Sequence, residues 1–144
     1  MTDPTGSVSY AYTPQGQLAS QSSVMPGRTA TVGYAYDFMG RLSSNTYPDG
    51  KVATYGYNQG RPVSASMNLG GSVVGVVSGT RYLPFGPAAS WSYGNALGRT
   101  YSFDLDGRVI GISSGPYSSP IQSLTYGYNA NDLITQITNG INAN

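Results

Sequence analysis

The sequence predicts an all-β fold, an antiparallel meander of about a dozen short strands, on three observations. A doublet of aromatic residues spaced two apart recurs along the 144 residues, and a turn signal follows each doublet. No segment carries apolar residues at the i, i+3, i+4, i+7 spacing of an amphipathic helix. The composition, with 20 Gly, 9 Pro, 13 Tyr, 19 Ser and 12 Thr, favours turns and pleated strands over helices.

The first repeat runs Tyr10-Ala11-Tyr12-Thr13-Pro14-Gln15-Gly16-Gln17-Leu18. Tyr34-Ala35-Tyr36-Asp37-Phe38-Met39-Gly40-Arg41-Leu42 aligns with it, and Tyr55-Gly56-Tyr57-Asn58-Gln59-Gly60-Arg61 is a shortened copy. Tyr101-Ser102-Phe103-Asp104-Leu105-Asp106-Gly107-Arg108-Val109 is a close copy, and Tyr126-Gly127-Tyr128-Asn129-Ala130-Asn131-Asp132-Leu133-Ile134 closes the series. The widest gap, between Tyr55 and Tyr101, is about twice the others, so it contains a degenerate unit around Thr80 to Gly86, starting near Tyr82. About six units therefore fill residues 1–144 as a single array with no second domain.

Elementary geometry explains each unit. Aromatics at i and i+2 project from one face of a strand, and the small residue between them projects from the other. Asp37 and Asp104 then occupy an Asx-turn position, where a side-chain oxygen bonds the backbone two residues on; Asn58 and Asn129 replace them in other copies. Gly16, Gly40, Gly60 and Gly107 supply the positive φ that closes the hairpin. A second strand follows, such as Leu42 to Thr46 or Val109 to Ser113, and ends in another turn, clearest at Tyr47-Pro48-Asp49-Gly50-Lys51. Stability is expected from the Tyr faces of neighbouring units stacking on one another.

The composition also excludes whole classes of chemistry. The chain has no Cys, no His and no Glu, which removes thiolate and imidazole nucleophiles, the usual zinc ligand set and disulfides. Seven basic against six acidic residues give a net charge of +1, too little to steer a nucleic acid. Asp104-Leu105-Asp106-Gly107 lacks the later ligands of a calcium loop, and Gly70-Gly71-Ser72 lacks the Lys of a phosphate loop. Exchange of Asp for Asn or Thr between copies suits a turn role and would abolish a general base. The expectation is no enzyme, no cofactor and no metal.

Val73-Val74-Gly75-Val76-Val77 is far shorter than a membrane-spanning helix and is expected to be a self-associating strand. Residues 1–6 carry neither the basic nor the apolar part of a signal peptide. Arg41, Arg61 and Arg108, recurring after the turn Gly, are expected to lay their stems over Tyr rings and pair with turn Asp residues. Trp91 and Tyr93, outside the repeat, are candidate glycan contacts.

The pattern Tyr-x-Tyr-Asp-x-x-Gly-Arg-Leu, best in Tyr34 to Leu42, resembles the YD repeat of the RHS and YD-repeat family. Arg81-Tyr82-Leu83-Pro84-Phe85-Gly86-Pro87 and Trp91 to Leu97 resemble a recurrent stretch of the bacterial members. The resemblance implies a sheet that spirals into a hollow shell, partial at this length, or a solenoid-like fibre. Such shells enclose effectors in bacterial toxin complexes and serve as extracellular scaffolds in teneurins.

The leading expectation is a non-enzymatic, secreted or cell-surface scaffold. Its open edges would join copies head to tail into a filament or larger shell. Two alternatives stand beside it, a fragment of a toxin cocoon continued by flanking repeats and a carbohydrate-binding surface built on Tyr and Trp.

Overall fold

The structure, a computed structural model, describes residues 2–3, 6–116 and 118–141, the first two by their backbone alone. Met1, Pro4 and Thr5 of the opening segment, Tyr117 and residues 142–144 lie outside the described residues. The chain forms two compact units, residues 1–60 with 65–74 and residues 61–64 with 75–144. The described residues contain no helix.

In the first unit β1 (Thr2–Asp3), β2 (Gly6–Tyr12), β3 (Leu18–Met25), β4 (Arg28–Tyr36), β5 (Leu42–Thr46) and β6 (Val52–Asn58) lie side by side in chain order. Each pairs antiparallel with the next. β7 (Arg61–Asn68) is divided between the units. The second unit continues the pattern with β8 (Val73–Tyr82) from Gly75 onward, then β9 (Ala88–Tyr93), β10 (Gly98–Phe103), β11 (Val109–Gly115), β12 (Gln122–Tyr128) and β13 (Ile134–Asn139). These strands too are antiparallel neighbours in chain order. The antiparallel meander expected from the repeats is the observed architecture.

Alternation along the strands gives each unit two unlike faces. Tyr10, Gln21 and Val32 stand opposite one another on one face of the first unit, as do Tyr34, Asn45 and Ala53. The other face shows Ser9, Ser22, Thr31, Ala35, Ser44 and Thr54, with a hydrogen bond from Thr31 Oγ1 to Ser22 Oγ. The second unit repeats this division: Trp91, Arg99, Tyr101 and Ile112 against Ser90, Thr100, Ser113 and Ser123. Among the described residues only Ala53 and Asn45 are buried, both on the aromatic face of β5 and β6. None of the described large side chains is fully buried, so these strands enclose no interior of the globular kind.

One turn geometry closes most hairpins. At Thr13–Gln17, Asp37–Arg41, Asp104–Arg108 and Asn129–Leu133 the first residue's N–H donates to the fifth residue's carbonyl, and the fourth residue's N–H donates back to the first. Tyr47–Lys51 and Tyr93–Leu97, at the opposite border, do the same. The fourth position has positive φ throughout: Gly16, Gly40, Gly107 and Gly50, but also Ala96 (64°) and Asp132 (60°). An Ala pays a steric penalty in that region that Gly does not. Ala96→Gly is therefore expected to raise stability by about 0.5–1 kcal/mol, measured by urea unfolding.

Two of the repeat turns differ from this scheme. The sequence places Asn58 at the anchoring position of the third hairpin, but the structure ends β6 on it. The hairpin closes on Gln59 and Gly60 with φ of 49° and 80°, a two-residue turn of the primed kind whose twist suits tight hairpins. Two residues fewer make the Asx anchor unnecessary. In the degenerate unit Pro84 takes the second turn position and Phe85 the third, at φ 55°.

Candidate functional site

Each full repeat builds the same local device on the aromatic face. Asp37 Oδ1 accepts the N–H groups of Met39 and Arg41, while Oδ2 takes the Arg41 guanidinium at 2.6–2.7 Å. Asp104 does the same for Asp106 and Arg108. Asn129 keeps the two backbone bonds, to Asn131 and Leu133, and Thr13 keeps one, from Gln17. A register shift of one residue falls before the second aromatic of four repeats, pairing Tyr12 with Leu18, Tyr36 with Leu42, Phe103 with Val109 and Tyr128 with Ile134. Such bulges increase the local twist.

Between repeats the contacts run forward along the chain. Tyr36 Oη donates to the Leu18 carbonyl, Tyr57 to Leu42, Tyr82 to Pro62 and Tyr128 to Val109, at 2.6–2.9 Å. In each case the acceptor follows the post-turn residue of the preceding repeat. That residue then reaches the next repeat: Arg41 lies 4.4 Å over the Tyr57 ring, Arg61 4.7 Å over Tyr82 and Arg108 5.0 Å over Tyr128. Gln17, standing for Arg, donates instead to the Gly40 carbonyl of the next turn, and Arg61 likewise reaches the Leu83 and Gly86 carbonyls. Arg108 pairs with Asp132 of the next turn as well as with Asp104 and Asp106.

Among the described residues the expected stacking of rings between neighbouring doublets does not occur. Successive doublets sit on alternate strands, about 10 Å apart, beyond the range of ring pairs. The Arg side chains and Tyr hydroxyls described above bridge that gap. Among the described residues ring pairs form only where an aromatic occupies the strand between two repeats. There Trp91 on β9 meets Tyr93 edge-on at 6.1 Å and Tyr101 at 5.7 Å, and Tyr101 stacks on Phe103 at 6.4 Å. Trp91 and Tyr93 thus belong to a row of rings.

The turn carboxylates are held ionised. The Arg41 side-chain hydrogen bond keeps Asp37 below the ordinary Asp value, and Lys51 does the same for Asp49. Burial pushes Asp104 upward, but its bonds from Arg108 outweigh that and lower it too. Because folding lowers these values, their contribution to stability is complete above the unfolded value of about 3.9. It is lost as the pH falls through the lowered folded values. Melting temperature is therefore expected to stay level from pH 7 to 5 and to drop below pH 4, read by circular dichroism.

With both Asp37 oxygens occupied, the open depression of about 610 Å3 beside it, lined by Gln15, Gln17, Tyr34 and Phe38 among others, holds no unengaged carboxylate. No group of three His, Cys, Asp or Glu that could hold a metal ion occurs among the described residues. The same residues contain no helix long and apolar enough to cross a membrane.

No protein-family model matches this sequence, and no curated protein is similar to it. Solved structures match along almost its whole length. A crystal structure of TcdB2-TccC3-Cdc42 superposes with a TM-score of 0.86 at 21% identity over 95% of this chain. TcdB2-TccC3 gives 0.85 at 20% over 94%, and the Photorhabdus luminescens Tc holotoxin pore gives 0.86 at 20% over 99%. This chain spans 8% of the length of each of those chains. The YD-repeat resemblance read from Tyr34 to Leu42 and the fold of these Tc toxin complexes agree: the chain has the fold of a segment of such a chain.

Proposed function

We propose that this chain is a stretch of wall from a hollow β-sheet shell of the Tc toxin kind, secreted or at the cell surface and without catalytic activity of its own. The observation that carries the reading is the likeness to the Tc toxin structures over 94–99% of the chain. The contact pattern supports it, since the same Tyr–carbonyl bond ties four of the five successive pairs of repeats and, among the described residues, only Ala53 and Asn45 are buried. A sheet of this kind is extended by adding repeats and needs no core. The engagement of Asp37 and Asp104 in turns supports a non-enzymatic role.

One observation favours a second reading, association of separate copies into a filament. All six residues of β13 are exposed and pair only with β12 among the described residues, which leaves an edge open to another strand. In the wall reading the next repeat of a longer chain takes that edge. Electron microscopy of the product of the complete reading frame separates the two. Closed hollow particles are expected, and filaments built from discrete copies of a chain this size would overturn the wall reading.

A further inference from the structure

We propose that the aromatic face around Arg99 binds an acidic saccharide, a uronic-acid oligomer, with the carboxylate on Arg99. Arg99 differs from the repeat cations. Arg41, Lys51 and Arg108 each face a carboxylate, and Arg61 is held by the Leu83 and Gly86 carbonyls of a turn, whereas the Arg99 guanidinium is held by neutral side chains on the open strand face. Its Nη1 donates to Ser114 Oγ at 2.7 Å and to Gln122 Oε1 at 2.6 Å, and its Nη2 donates to Tyr101 Oη at 3.1 Å. The guanidinium also lies 5.0 Å from the Tyr101 ring centroid.

Three of the five guanidinium donors are thereby taken, and the group is locked in place before any ligand arrives. The Nε–H and one Nη2–H remain, and two donors are what a carboxylate accepts in a bidentate pair. A fixed cation without a counter-charge is an anion site whose ordering cost is met on folding.

The surroundings select the kind of anion. Trp91 lies directly across from Arg99 on β9, and Tyr93 beside it is 39% exposed. Rings next to hydroxyl and amide groups suit a pyranose, which is apolar on its faces and polar at its rim. The β10 backbone is paired on one side with β9 and on the other with β11, so no peptide can add here as a strand. The proposal is independent of the wall reading.

Trp91 is the only tryptophan, so tryptophan emission, excited beyond the absorption of the 13 tyrosines, reports on this site alone. Titration with oligogalacturonate is expected to change that fluorescence saturably, and neutral galacto-oligosaccharide of equal length is expected to leave it unchanged. Arg99→Gln should weaken the response about tenfold to a hundredfold, the range for a lost charge-assisted hydrogen-bond pair. Arg81→Gln, the same charge change on exposed β8, should leave it intact. Equal responses to the neutral sugar, full binding by Arg99→Gln, or no response at millimolar oligogalacturonate would each overturn the site. An equal response to a poly-glutamate peptide would show a carboxylate site without saccharide selectivity and would overturn the proposal as well. The comparison of acidic with neutral sugar on the unaltered protein needs no variant to fold.

Discussion

Gly94→Ala is expected to destabilise the second unit by about 2–4 kcal/mol. Gly94 opens the turn after β9, and its N–H donates to the Val76 carbonyl at 3.0 Å. A Cβ at this position would collide with the Gly75 carbonyl oxygen and lie 2.8 Å from the Gly75 carbonyl carbon. The obstacle is backbone, so no side-chain rotation relieves it; β8 has to move, and the bond to Val76 goes with it. Urea unfolding followed through Trp91, three residues away, reads the effect directly. An unchanged midpoint would show that the start of β8 does not pack against this turn. Ala96→Gly, in the same turn, is expected to act in the opposite direction, because there the backbone conformation is at fault and the space is open.

How far the sequence led depends on whether each feature was set locally. The hairpins were legible because Asp37 and Gly40, or Asp104 and Gly107, carry the turn in their own side chain and backbone. The third turn misled: Asn58-Gln59-Gly60 looks like a trimmed Asx turn, yet loop length decides the turn type and two residues demand positive φ at both. The Arg residues were expected over Tyr rings and beside turn Asp, and Arg41 and Arg108 are found there. That the ring belongs to the following repeat is a matter of strand register, which no local pattern encodes. The register shift before each second aromatic was invisible for the same reason. Stacking between doublets failed because they occupy alternate strands, and among the described residues only Trp91, on the strand between, brings rings of different strands into contact. Arg99 lies outside the repeat; its signal is an Arg on a strand without an Asp four residues before it, the spacing that serves Arg41 and Arg108.

Asn45→Val is expected to stabilise the first unit by about 1–3 kcal/mol. Asn45 sits mid-strand on β5 between Tyr34 and Ala53, only 9% exposed, at the one place where the aromatic face closes over. Its Oδ1 has no hydrogen-bond partner, so a strong acceptor has been stripped of water with nothing in exchange. Valine removes that penalty and prefers the strand conformation that asparagine avoids. The melting temperature should rise by about 3–8 °C for a chain of this size, with Asn45→Leu gaining less because its extra bulk must be fitted against Ala53. A lowered melting temperature would mean that Oδ1 is satisfied in the working protein. The donor would then have to come from a group covering this face, so the same variant would report whether the aromatic face is bare or covered.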